Sequence, residues 1–275
     1  MTGKQVTDLP KIQSSKLTDL LMVHDGYGLK SISIEDFNSG VSDNAGAHNS
    51  IFRGKYLGER VTEEQYTCIA DGSFKNLFIG DYWTIGDVNY RIAGFDYYYK
   101  CGDTAFNQHH AVIVPDVHLY TYKMNNTDTT EGGYVGSKMY KEGLEQAKKI
   151  IKGAFNGHVA THRIYLTNTV SNGYPSNGAW FDSEVDLMNE NMLYGGRQFS
   201  PMNSGAGILD NYTVEHGQLP LFNLAPNFIH ANRVSPFWIR DVVSATSFAG
   251  VSSLGYSACY VAITDTGVRP AFCIS

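Results

Sequence analysis

The last ten residues, TGVRPAFCIS, limit most strongly how this chain can fold. They place Val268, Ala271, Phe272, Cys273 and Ile274 in an apolar run that is typical of a buried strand. Most chains end instead in a short polar tail that is poorly ordered. We therefore expect this run to form a central strand of a small sheet, with the ring of Phe272 fully buried.

Four other segments carry local secondary-structure signals. Thr62 and Gln65 have the spacing of a capping box, which predicts a short helix directly after Thr62. Residues 81–99 contain two β-rich runs around a tight turn and therefore predict a hairpin. Residues 110–116 predict a buried strand, and residues 137–155 have the apolar spacing of an amphipathic helix.

Residues 165–235 differ in composition from the rest of the chain. They are rich in Asn, Gly, Ser, Pro and aromatic residues, which predicts long, ordered loops. Aromatic rings beside amides and arginine suit the recognition of sugars or protein epitopes. For Trp180 the alternative, that its ring packs the loops themselves, stays open. The candidate ligand-binding residues are Tyr174, Asn177, Trp180, Tyr194, Arg197 and Tyr212.

Two arginines lie inside apolar runs near the end of the chain. Arg240 and Arg269 should therefore be partly buried, and each then needs a carboxylate or carbonyl partner. Asp241 and Asp265 are the candidate carboxylates. We assign both arginines a structural role. The tryptophans expected in the core are Trp83 and Trp238.

Residues 1–45 read as a separate piece that is too short to bury a core of its own. Apolar clusters alternate with turn signals, and Asp25-Gly26 between LLMV and LKSISI predicts a small hairpin or turn. Residues 46–79 predict a linker and the short helix. We call residues 1–45 the N-terminal arm and expect its apolar side chains to pack against symmetry mates or a partner. These residues are Leu9, Ile12, Leu20, Leu21, Val23, Ile32, Ile34 and Phe37.

Residues 80–275 follow a recognisable order of hairpin, helix, loop-rich insertion and short final strands. This order, with FWIRDVVSATSFAGVSS and GVRPAF, resembles the C-type-lectin-like domains of the formylglycine-generating-enzyme and phage tropism-determinant kind. The resemblance implies an α+β domain with a small antiparallel sheet, one or two helices and long ordered loops. It also implies that the last strand pairs with the hairpin at residues 81–95, with the loops at the opposite pole.

Residues 1–95 carry a second likeness. Three segments resemble the N-terminal part of phage virion fibre and head-decoration proteins. They are VTDLP, LTDLLMVHDGYGLKSISIEDF and FRGKYLGERVTEEQYTCIADGSFKNLFIGDYWTI. In such proteins, commonly trimers, a short leader docks on the capsid or tail. The resemblance implies a non-enzymatic virion protein, a homotrimeric head fibre or capsid decoration whose lectin-like domain binds a host-surface glycan or protein. A tail receptor-binding protein is the alternative.

Charge and hydropathy exclude two classes of partner. The formal net charge is −6 and no basic block is present, so we expect no binding to nucleic acid. No apolar run approaches ~20 residues, and residues 1–13 lack a signal pattern, so we expect no membrane insertion. Both features agree with production and assembly in a bacterial cytoplasm and a final place in the virion.

Catalytic signals are missing from the sequence. No G-x-S-x-G, S-x-x-K or P-loop pattern occurs. His158 and His162 lack a third ligand at metal-site spacing, and His109 and His110 should point to opposite sides of a strand. We therefore expect no catalytic residues, no metal and no cofactor.

A glycan-acting or metal-dependent enzyme is the second alternative function. Cys259 and Cys273 lie in strand-like runs without the formylglycine-generating motif, so that activity is not implied. A soluble enzyme also has no evident need of the arm at residues 1–45.

Overall fold

The structure is a computed structural model in which the chain divides into two compact units, residues 1–43 and residues 44–275. The residues that it describes are 20–24, 29–33, 43–200, 217–233 and 235–275.

The N-terminal unit contains one antiparallel strand pair. Strand β1 (Leu20–His24) pairs with β2 (Leu29–Ser33), with Leu21 opposite Ile32. This agrees with the hairpin predicted around Asp25-Gly26. Of the apolar residues assigned to attachment, four lie on these strands: Leu20, Leu21, Val23 and Ile32. The other four lie outside the described residues: Leu9, Ile12, Ile34 and Phe37.

The unit of residues 44–275 is mixed α/β with mostly antiparallel sheets. Its described residues form six α-helices: α1 (Ala45–His48), α2 (Glu63–Ala70), α3 (Gly133–Gly136), α4 (Leu144–Ala154), α5 (Glu190–Tyr194) and α6 (Pro220–Leu224). A π-helical turn at Met139–Gly143 leads into α4, and two 3-10 turns span Pro226–Phe228 and Ala231–Arg233. The strands are β3 (Tyr82–Ile85), β4 (Val88–Phe95), β5 (Ala111–Pro115), β6 (Tyr120–Tyr122), β7 (Val159–Ala160), β8 (His162–Ser171), β9 (Tyr174–Ser183), β10 (Val185–Leu187), β11 (Phe237–Val242), β12 (Ser247–Val251), β13 (Ser257–Val261), β14 (Thr266–Val268) and β15 (Pro270–Ile274).

The first sheet contains the C-terminal strand in an interior position. Its order is β10-β15-β5-β4-β3, and β7 also pairs with β15. Phe272 lies opposite Ile113 on one side and Val185 on the other, so the C-terminal run is an interior strand, although the middle of the order is β5. The expected direct pairing with the hairpin is wrong, because β5 lies between β15 and the β3–β4 hairpin. All five residues of β5 are buried, as an interior strand requires.

The second sheet has the order β13-β12-β11-β14-β6 and shares the C-terminal segment with the first. Strand β14 runs parallel to β11 and antiparallel to β6, and Arg269 alone separates β14 from β15. One small sheet and one or two helices were expected. Two larger sheets and more helices form, partly because residues taken for loops are strands.

The expected core residues are buried. Trp83 and Trp238 have no exposed surface, and Phe272 is 1% exposed. Trp83 Nε1 donates a hydrogen bond to Gln65 Oε1 at 3.0 Å, and Trp238 Nε1 donates to the Tyr122 carbonyl at 2.8 Å. Both indole N–H groups are therefore satisfied inside the core.

The two arginines bind carbonyl groups. Arg240 Nη1 donates to the Leu187 carbonyl at 2.8 Å. Arg269, which is fully buried, donates from Nε to the Pro115 carbonyl at 2.8 Å and from Nη1 to the Ile229 carbonyl at 3.2 Å. Burial lowers the pKa of Arg269 to about 10. The structural role predicted for both arginines fits these contacts.

Residues 46–79 form the predicted short helix but not a linker. In the capping box of α2, Thr62 N donates to Gln65 Oε1 at 3.0 Å and Thr62 Oγ1 accepts from Gln65 N at 3.3 Å. The segment around the helix packs into the main core through Ile69, Phe74 and Leu77. Its apolar residues therefore belong to the unit of residues 44–275.

Candidate ligand-binding surface

The β8–β9 hairpin occupies residues that the composition had assigned to loops. Its strands are ten residues each and join at Asn172-Gly173, where φ is +51° and +81°. Ser171 lies opposite Tyr174, so the loop has two residues. Two positive φ angles fit a type I′ turn, and Asn-Gly is its strongest sequence signal. That dipeptide between β-rich runs could have revealed the hairpin.

The hairpin is held against the rest of the unit at both its turn and its inner face. A Cβ atom on Gly173 would lie 2.9 Å from the main-chain nitrogen of Ala245, so only glycine fits this turn. Ile164 and Leu166 point inward and are 1% exposed. The hairpin therefore packs against the rest of the unit through its inner face and its turn.

The opposite side of the hairpin, here called the outer face, carries the side chains that alternate with the buried ones. Tyr165 lies opposite Trp180, and Arg163 lies opposite Asp182. Arg163, Tyr165 and Trp180 are half-buried, and Asp182 is exposed. The outer face is defined by Arg163, Tyr165, Thr167, Gly178, Trp180 and Asp182.

One end of the outer face is an ionic cluster. Arg163 binds both carboxylate oxygens of Asp103, at 2.7 and 2.8 Å, and Asp182 Oδ1 at 3.0 Å. Hydrogen bonds to Asp103 and Asp182 raise the pKa of Arg163, and the bond from Arg163 lowers the pKa of Asp103. The bidentate bonds to Asp103 orient the guanidinium at this end of the outer face.

The centre of the outer face is aromatic, and polar side chains lie between it and the turn, where the register of the strands shifts. The Tyr165 and Trp180 rings meet edge to face with centroids 5.5 Å apart. Towards the turn, Thr169 Oγ1 and Ser176 Oγ lie 3.0 Å apart, and Asn177 Oδ1 accepts from Gly178 N at 2.9 Å. The outer face thus offers ring area beside an ionic cluster.

The predicted ligand-binding residues are only partly brought together. Tyr174, Asn177 and Trp180 all lie on β9, and Tyr174 is 53% exposed. Tyr194 ends α5, and its hydroxyl donates to the Gly255 carbonyl at 3.1 Å. Arg197 follows α5 and is half-buried. Tyr212 lies outside the described residues.

The sequence analysis did not select four residues of this region as ligand-binding: Arg163, Tyr165, Asp103 and Asp182. The alternation in HRIYLT nevertheless indicated that Arg163 and Tyr165 point outward.

Two neighbouring acids stabilise the loop after α5. The carboxylate of Glu190, which is fully buried, accepts the main-chain N–H groups of residues 198–200 at 2.9–3.0 Å and the hydroxyls of Ser200 and Ser257. Burial opposes ionisation, but these hydrogen bonds outweigh it and hold the pKa of Glu190 below its usual value. Asp241 accepts from Glu190 N at 2.8 Å, and burial, with the Glu190 charge, raises the pKa of Asp241 to about 7.

The histidines considered for a metal do not share a helix face. His158 precedes β7, and His162 lies on the buried side of β8. Burial, followed by the charges of His110 and Arg240, lowers the pKa of His162 to about 3, so this ring is neutral. Within the described ranges, no three His, Cys, Asp or Glu residues are grouped so that they could hold a metal ion.

Comparisons with other proteins do not assign this chain to a family. The chain has no significant match to a family model, to a curated protein or to a solved structure. None of the helices in the described part is both long enough and apolar enough to cross a membrane.

Proposed function

We propose that this chain is a non-enzymatic bacteriophage virion protein, a homotrimeric head fibre or capsid decoration. Its arm attaches to the particle, and its larger unit, a lectin-like domain, binds a host-surface glycan through the outer face of the β8–β9 hairpin. The observation that carries the binding role is the Tyr165–Trp180 pair, half-buried beside the Arg163 ion cluster.

The chemistry of the outer face suits a sugar. Edge-to-face rings present apolar area that can contact the C–H groups of a pyranose. Arg163, bound by two carboxylates, supplies polar groups at one end of the rings, and the exposed hydroxyl of Thr169 lies towards the turn. Carbohydrates need both kinds of contact, because each ring carries hydroxyls around an apolar face. A rigid scaffold reduces the entropy lost on binding.

The attachment role rests on the size of the N-terminal unit. A single two-stranded hairpin such as β1–β2 is at best marginally stable alone in water. Its apolar positions, which include Leu21 opposite Ile32, therefore call for a partner surface. A virion protein or the arms of other copies in a trimer would provide one.

Deletion of residues 1–43 is expected to leave the larger unit folded but to prevent its incorporation into particles. Residues 44–275 contain both large sheets and both core clusters, so their thermal melt should change little. Incorporation is measured by immunoblotting of purified particles, and gold labelling of the full-length protein shows whether it sits on the head or the tail. Normal occupancy by the truncated protein would disprove attachment through the arm.

Trp180→Ala is expected to weaken attachment to cells of the infected strain by about tenfold or more, with little change in melting temperature. The substitution removes the larger ring of the outer face but leaves the inward residues Ile164 and Leu166 in place. Tyr256→Ala is the matched control, because Tyr256 is 69% exposed and lies outside the hairpin. If both folded variants bind like the original protein, the outer face is not the binding surface.

A further inference from the structure

The loop between β4 and β5, here called the 96–110 loop, is held closed by hydrogen bonds to His110. This side chain is fully buried, and its Nε2 accepts from Tyr98 N at 3.0 Å. A main-chain N–H only donates, so Nε2 carries no proton. Nδ1 therefore carries it and donates to the Gln108 carbonyl at 3.0 Å. The closed loop thus requires the neutral form of His110.

A second histidine lies beneath the same loop. His162 of β8 is 5% exposed, and the ring of Tyr98 packs on it with centroids 4.1 Å apart. The centroid of the Phe106 ring lies 4.9 Å from that of His110 and 5.8 Å from that of His162. Because Tyr98 and Phe106 both belong to the loop, its opening would give water access to both imidazoles.

Burial keeps both rings uncharged in the closed loop. It lowers the pKa of His110 to about 4 and the pKa of His162 to about 3. Asp96 Oδ1, 3.8 Å from His110 Nδ1, favours the charged ring, but burial outweighs this attraction. The titratable and charged groups around the two rings are Asp96, Tyr98 and His109 on the loop, Asp186 on β10 and Arg240 on β11.

The 96–110 loop also contacts the outer face of the hairpin. Its Asp103 makes the bidentate bonds to Arg163. A Cβ atom on Gly102 would lie 2.8 Å from Arg163 Cβ, so the loop and β8 approach closely at this point. Movement of the loop would therefore remove one of the two carboxylates that bind Arg163.

Acid should favour the open loop. An imidazole in water has a pKa of about 6.5, so below that pH the open loop binds more protons than the closed one. The closed loop is fully stable above this value and loses stability as the pH falls towards the pKa values of the buried rings. In the charged ring both nitrogens donate, so Nε2–H of His110 would face the N–H of Tyr98.

We propose that the 96–110 loop is an acid-sensitive element: protonation of His110 and His162 opens it and takes Asp103 away from Arg163. The opening itself is independent of any ligand. Its consequence, weaker glycan binding in acid, rests on the proposed function, because Arg163 belongs to the outer face.

Hydrogen exchange of the full chain at about pH 7.5 and about pH 5, corrected for intrinsic rates, tests the opening. Main-chain N–H groups of Tyr98, Lys100 and Phe106 are hydrogen-bonded within the loop. We expect their protection to fall at least about tenfold at the lower pH, since each histidine contributes up to about tenfold per pH unit. Protection in β12 should change little.

Two substitutions assign the effect to the histidines. His110→Gln supplies an amide oxygen that can accept from Tyr98 N but does not titrate, so the loss of protection should be smaller. His162→Phe should act in the same direction, and it keeps an aromatic ring beside Tyr98 if His110→Gln fails to fold. His158→Gln, outside the loop, is the control and should show the full loss.

Three exchange results would overturn the proposal: unchanged loop protection at about pH 5, an equal loss in β12, or a loss that neither substitution reduces. Attachment to cells of the infected strain at the same two pH values tests the consequence. Undiminished attachment with an open loop would overturn the regulation of binding. If Trp180→Ala does not weaken attachment, the proposed binding surface fails instead, and the exchange result still decides the opening.

Discussion

Deletion of residues 268–275 is expected to abolish folding of the unit of residues 44–275. The deletion removes β15 from between β10 and β5 and shortens β14, which lies between β11 and β6. Both sheets then lose interior pairing, and β5 presents an apolar edge to water. Circular dichroism and a thermal melt of the purified variant measure the effect. A cooperative melt near that of the full chain would contradict it.

Phe272→Ala tests the contribution of the same strand to stability with a smaller change, the loss of one buried ring. The ring is 1% exposed and contacts the rings of Phe155 and Tyr90 at centroid distances of 4.9 and 6.0 Å. Truncating a buried phenylalanine costs about 3–5 kcal/mol, from a total of about 5–15 kcal/mol for a domain. The variant should therefore fold with a much lower urea midpoint, whereas Tyr174→Ala, at an exposed position, should leave the midpoint nearly unchanged.

Local signals in the sequence predicted local structure well. The capping box of Thr62 and Gln65, the β3–β4 hairpin, strand β5 and the helix around α4 are all present. Each depends on residues close together in the chain. The burial of the C-terminal strand was also predictable, because the run from Pro270 to Ile274 is apolar, and all five of its residues are buried.

The order of strands could not be predicted in the same way. Whether β15 pairs with the β3–β4 hairpin or with β5 depends on packing between segments more than 150 residues apart, such as Ile113 and Phe272. The resemblance to lectin-like domains implied pairing with the hairpin. In the structure, β5 takes that place and pairs with β15 on one side and with β4 on the other.

The candidate surface was predicted in part, and the reason is visible in β8 and β9. Their Asn, Gly and Ser content indicated loops and hid the alternation of buried Ile164 and Leu166 with outward Tyr165. The composition pointed to Trp180 as a candidate ligand-binding residue, but it did not point to Tyr165, whose ring packs against Trp180. The Arg163–Asp103 ion pair joins residues far apart in sequence, so no local pattern reports it.

A buried charge cluster beside the C-terminal strand has no counterpart in the sequence patterns. Arg91 binds both oxygens of Asp116, at 2.7 and 2.5 Å, and its guanidinium lies between the rings of Tyr82 and Phe228. Arg269, also buried, is affected by both groups: Asp116 raises its pKa, whereas Arg91 lowers it. One carboxylate therefore offsets the charge of two buried guanidinium groups.

Asp116→Asn is expected to destabilise the unit by about 3–5 kcal/mol, the usual cost of removing one member of a buried ion pair. The amide keeps the size of the side chain but removes its charge, which leaves Arg91 and Arg269 as neighbouring buried cations. Urea unfolding followed by fluorescence measures the change. Asp182→Asn is the matched control: its ion pair with Arg163 is solvent-exposed, so the urea midpoint should hardly move. Equal, small effects of both substitutions would show that Asp116 does not hold the two arginines in the core.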